Sequence, residues 1–165
     1  MSSLEDDTAA IAEQERLLVF DRFDSDEAWA LGERLRRLAS ERGLPVAIDV
    51  TLHSMPVFYT ALSGSTADNA RWVRRKRNIV LHFLRSSYAV GLRLAQQDAT
   101  LEEKFSLSDT DYAAHGGSFP ITVAGVGCIG AVTVSGLPQR EDHNLVVAVL
   151  AEMLGHDAQK IALAP

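Results

Sequence analysis

Residues Gly116–Leu154, GGSFPITVAGVGCIGAVTVSGLPQREDHNLVVAVLAEML, decide the fold. They read as strand, tight turn, strand and then a helix folded back on the sheet. The runs 119–124 and 128–134 are rich in Val, Ile and Thr, which suit a pleated surface. Gly125-Val126-Gly127 between them is a connection short enough to close a hairpin. Gly130 interrupts the second strand, so it marks a bulge or a close approach of another backbone, and Gly116-Gly117 can serve the same purpose before the first. Ser135-Gly136-Leu137-Pro138 ends the sheet, with Pro138 suited to a turn or to the first helical position. Leu145, Val146, Val149, Leu150 and Met153 then recur at helical spacing and form one apolar face.

Working outward, residues 1–15 are acidic and polar and read as a short surface helix or a loose arm. The run 16–20 reads as an edge strand. Ser25 or Asp26 opens a helix with Ala28, Leu31, Leu35 and Leu38 on one face, which Gly43 ends. Residues 46–52 and 56–62 read as two strands joined at His53-Ser54-Met55, and a long helix capped by Asp68 or Asn69 is expected to run to about Tyr88. Short helices are expected in 89–114. Hairpins interleaved with helices imply an α+β fold, a central antiparallel sheet with helices packed on its faces. The expected organisation is an arm over 1–15, one domain over 16–158 and a tail over 159–165.

Composition narrows the function. Of 165 residues 47% are hydrophobic, enough for one well-packed core. A net charge of −6 disfavours general nucleic-acid binding. No apolar run is long enough to span a bilayer, the acidic N-terminus does not resemble a secretion signal, and the single Cys128 has no internal partner. These features suit a soluble cytoplasmic protein.

The long helix carries the informative charge pattern. At 100° per residue, Ile79 and Phe83 fall within roughly 20° of Trp72, Lys76 about 40° to one side and Arg75 about 60° to the other. Arg74 and Arg77 fit a solvated basic face. A lysine beside the core stripe needs a carboxylate, a bound anion or a cleft. Either an intramolecular salt bridge or a pocket satisfies that need. Of the five histidines, at 53, 82, 115, 143 and 156, no pair has a zinc-binding spacing, and no metal site is expected. Asp142-His143 can form an acid–base or ligand pair, or Glu141 and Asp142 can complement the helix dipole with His143 packed beside them. Cys128 on a buried-type strand reads as packing, and Ser86-Ser87 as capping or packing residues.

Trp72 with Arg75-Lys76, Ser86-Ser87, Gly116-Gly117-Ser118-Phe119-Pro120-Ile121, Gly130, Val134-Ser135-Gly136-Leu137-Pro138 and Asp142-His143 together resemble the haem-degrading-domain family, the HbpS/GlcG-like proteins. The resemblance covers about residues 10 to 158 and lies nearest the cytosolic branch of bacteria and fungi. It implies a profilin-like fold and homo-oligomers. Some relatives bind haem or help degrade it, so haem is a cofactor the resemblance allows, although the matched motifs contain no haem ligand. The candidate ligand-binding residues are Trp72, Arg75, Lys76, Gly117, Asp142 and His143. Three functions follow in order: binding of a small anionic ligand or a tetrapyrrole near the long helix, an oligomeric interaction scaffold, and an enzyme using Lys76, Asp142 and His143.

Overall fold

The computed structural model describes residues 2–164; Met1 and Pro165, the outermost residues of the expected arm and tail, lie outside it. A five-stranded sheet has the order β1-β4-β5-β2-β3, with β1 Val19–Phe20, β2 Ala47–Leu52, β3 Met55–Ala61, β4 Ser118–Val123 and β5 Gly127–Ser135. All neighbours are antiparallel except β1 and β4, which are parallel. The 116–154 stretch folds as read: β4, a turn, the central strand β5, and helix α6 Gln139–Leu154. Gly130 meets both of its expectations. A register shift lies opposite it, and a Cβ there would sit 2.1 Å from the Thr51 carbonyl oxygen.

The two faces of the sheet differ in chemistry, and this difference positions the site. Ile48, Val50, Phe119, Ile121, Val132 and Val134 face α6 and helix α2 Ser25–Glu41 in the main apolar core. The alternate residues, Asp49, Thr51, Ser118, Thr133 and Ser135, are also buried. They lie beneath helix α3 Ala67–Phe83, which packs on β5, β4 and β2. Four of them are satisfied by a neighbour: Ser118 Oγ and Thr133 Oγ1 lie 2.8 Å apart, Thr51 donates to Asp49, and Arg77 donates to Asp49 at 3.1 Å. A polar layer under α3 explains why this helix buries a lysine and turns an arginine inward.

Several boundaries differ from the sequence reading. The run 16–20 contributes only two residues of strand, because helix α1 Leu4–Leu17 continues into it. α1 is docked, with Ile11 buried against Tyr88, Leu92 and Leu163. The long helix stops at Phe83, where Leu84 adopts a left-handed conformation (φ 57°), and Ser86 caps a new helix, α4 Ser87–Gln96. Asp24 and Thr66, not the residues after them, occupy the cap positions of α2 and α3. Helices α5 Leu101–Phe105 and α7 Ala158–Ile161 complete the fold. No helix among the described residues is long and apolar enough to cross a membrane.

Candidate ligand-binding site

Lys76 lies at the end of the polar layer where β5 runs out. Its ammonium donates to Asp142 Oδ2 at 2.8 Å and to the Val134 carbonyl at 3.3 Å. The amides of Gly136 and Leu137 donate to the same carboxylate, at 3.3 and 3.0 Å. The Ser135–Pro138 turn therefore wraps around Asp142 in the first turn of α6. Lys76 is 3% exposed and Asp142 is fully buried. Burial pushes the Lys76 ammonium below the usual lysine range, against the pull of Asp142. Burial likewise raises Asp142, opposed by Lys76 and the two amides. Both desolvation costs act to bring the proton affinities of the pair together.

Gly117 makes room for this pair. Its φ of +130° is a glycine conformation, and a Cβ would lie 2.4 Å from the Val134 carbonyl oxygen and 2.8 Å from Lys76 Nζ. The segment leading to it is strapped to α3. Arg74 donates to Asp111 and the Thr110 carbonyl, Arg75 to the Asp109 carbonyl at 2.7 Å, and Asn78 to the Asp111 carbonyl. Arg74 and Arg77 are thus tied to carboxylates rather than forming a merely solvated face.

A cavity of about 240 Å³ opens over the pair, lined by Asp68, Asn69, Trp72, Lys76, His115, Ser135, Gly136, Leu137, Gln139 and Asp142. Trp72 is fixed on three sides. Its indole nitrogen donates to Asp68, the Arg75 guanidinium stacks 4.5 Å from the ring centroid, and His115 meets it edge-on at 5.3 Å. Partial burial lowers the pKa of His115, and the positive charges of Lys76 and Arg75 lower it further. The imidazole is therefore neutral at pH 7 and sits in a positive field. A wider groove of about 680 Å³ adjoins the cavity across His115 and Gln139. Arg75, Tyr88, Leu92, Leu101 and Tyr112 are among its walls.

Of the six residues expected at the site, Trp72, Lys76 and Asp142 line the cavity. Gly117 backs the pair, and Arg75 stands on the groove side of Trp72. His143 lies elsewhere, because one residue along a helix is a rotation of about 100°. It is buried under α1, 2.7 Å from Gln14 Oε1 and edge-on to Tyr88. Complete burial lowers its pKa to about 3. It cannot share chemistry with Lys76 and Asp142 in the cavity. Sequence reasoning missed His115 and Gln139. The signal for His115 was its place directly before Gly116-Gly117, of which Gly117 makes room for Lys76 and Gly116 for the Gln139 carbonyl.

The sheet order, the helices on its two faces and the pocket at the end of β5 define an α+β fold of the HbpS type. Residues 23–151 match the family model of haem degrading protein HbpS-like, and the chain belongs to that family. It is 62% identical over 163 residues to a UPF0303 protein of Rhizobium etli, covering 99% of both chains. Among solved structures, the Ybr137w protein superposes with a TM-score of 0.83 at 32% identity, over 90% of this chain and 87% of that one. A PduOC:haem complex superposes with a TM-score of 0.65 at 16% identity, over 81% and 94%, a likeness of fold alone.

Proposed function

We propose that the protein binds a small anionic metabolite in the cavity above Lys76. The observation that carries this reading is the buried ammonium itself. It has two protein acceptors and three N–H groups, and it lines a cavity rather than being sealed in packing. Trp72 supplies a flat apolar wall and His115 a neutral polar one. The cavity falls below the roughly 300–1,000 Å³ typical of drug-sized ligands, which favours a compact molecule. A thermal-shift screen against small carboxylates and phosphates tests the reading. Stabilisation by at least one such anion, lost in Lys76→Met, supports it. The same stabilisation persisting in Lys76→Met, or no hit across the panel, counts against it.

The adjoining groove supports a second reading, a tetrapyrrole. Its larger volume and apolar wall suit a macrocycle, and Arg75 suits a propionate. The solved PduOC:haem complex shares the fold. Haemin titration followed by absorbance tests it: a saturable Soret shift that Arg75→Ala weakens supports the groove. Self-association belongs to the same proposal. β3 forms one edge of the sheet and exposes Met55 and Tyr59, so native mass spectrometry of the wild type and Tyr59→Lys is expected to show an oligomer that the charge weakens.

A further inference from the structure

The chain has three lysines, at positions 76, 104 and 160. Lys104 and Lys160 are exposed, and only Lys76 is buried. Its amine meets four conditions that a nucleophilic lysine needs. It opens onto a cavity. A carboxylate lies 2.8 Å away and can take its proton. The absent side chain of Gly117 leaves clearance at Nζ. His115, on the wall of the same cavity and neutral, can accept a proton from the reacting nitrogen and relay it to a leaving hydroxyl. Burial also lowers the charge cost of releasing the proton.

We propose that Lys76 forms a reversible imine with a small oxo acid, a molecule bearing one carboxylate and one aldehyde or ketone, held in this cavity. The inference rests on the anionic-ligand reading above and names the ligand class. The sequence of bonds is balanced without any further reagent. Asp142 takes a proton from the Lys76 ammonium. The amine nitrogen attacks the carbonyl carbon, and the π electrons move to oxygen, which takes the proton back from Asp142. The carbinolamine nitrogen then gives up a second proton, which Asp142 or the neutral His115 relays to the hydroxyl; the hydroxyl leaves as water and the nitrogen lone pair closes a protonated C=N bond at Nζ. The carboxylate of the oxo acid faces the positive field that Lys76 and Arg75 set up at His115. The imine cation that remains keeps its partner in Asp142.

Incubation of the whole protein with pyruvate and sodium cyanoborohydride tests this, with peptide mapping of the reduced adduct. The expected result is an adduct at Lys76 exceeding that at Lys104 or Lys160 by about tenfold or more, since only Lys76 lines the cavity that holds the acid. Lys104 and Lys160 serve as controls within the same molecule, so the result does not depend on a variant that folds. Lys76→Arg is expected to lose the dominant adduct. Equal labelling of the three lysines, or none, overturns the proposal. Trp72 fluorescence, read in a Trp29→Phe background because Trp29 is exposed, separates the two readings. Pyruvate that perturbs Trp72 saturably but yields no Lys76 adduct removes the imine and leaves anion binding standing. Pyruvate that does neither, together with an empty carboxylate and phosphate screen, removes both.

Discussion

At the scale of single residues, the Lys76–Asp142 pair fixes what substitution can do. Lys76→Met leaves a carboxylate buried without its cation, a change that costs about 3–5 kcal/mol in comparable pairs. Adding Asp142→Asn removes the second charge and keeps an oxygen for the Gly136 and Leu137 amides. The double variant is expected to be more stable than Lys76→Met alone, as urea denaturation would show. His143 supplies a pH dependence of its own. Its folded pKa of about 3 lies below the unfolded value near 6.5, so the unfolded chain binds the extra proton between those limits. The stability it provides is complete above pH 6.5 and is lost as pH falls towards 3. His115 is shifted in the same direction, whereas the raised Asp49 and Asp142 act in the opposite sense. The difference between wild type and His143→Gln isolates the His143 share. The variant is expected to lose less stability than wild type between pH 6.5 and 4.

At the scale of elements, the break between α3 and α4 offers a stabilising change. Leu84 is a half-exposed, left-handed residue, and that conformation costs roughly 1–2 kcal/mol for a side chain with a Cβ. Leu84→Gly is expected to raise the melting temperature slightly, because relief of this strain exceeds the entropy cost of glycine, about 0.5–1 kcal/mol. A lower melting temperature would mean that Leu84 packs more than its exposure implies. The same break shows what sequence reading could and could not reach. The β4–β5 hairpin and α6 were legible because alternation, glycine placement and helical spacing are local signals. Lys76 was legible as an anomaly, since a charge beside an apolar stripe demands an explanation. The stop at Phe83 was not, because Leu84 carries no helix-breaking chemistry, although Ser86, read as a capping or packing residue, does cap α4 by accepting from the Ala89 amide. His143 was misplaced for a related reason. Adjacency in sequence suggested a shared site, whereas adjacent helical residues point apart. The polar layer under α3 was hidden as well, because Thr and Ser on a strand look alike whether they face solvent or a half-buried arginine.

At the scale of the whole molecule, both sheet faces are covered, but by unlike means. The α2–α6 face holds by apolar packing, and the α3 face holds by hydrogen bonds and ion pairs. Gly130→Ala therefore carries a prediction for the entire sheet. Its methyl would meet the Thr51 backbone at 2.1 Å, where β5 pairs with the Leu52 end of β2 and also with β4, so severe destabilisation or failure to fold is expected on expression and circular dichroism. The chain's two ends are held together on α6. Arg140 donates to Ser2 and Asp7 near one end and to the carbonyl of Ala164 at the other. Such closeness makes the order of the elements along the chain separable from their arrangement in space. A few-residue linker could join the ends, and the chain could be reopened at Val126, an exposed turn tip between β4 and β5. A permuted protein of this kind would begin in the middle of the segment that decides the fold. If it still reaches the same structure, contacts across the finished sheet, rather than the short loop that joins the two strands, are what hold the hairpin in place.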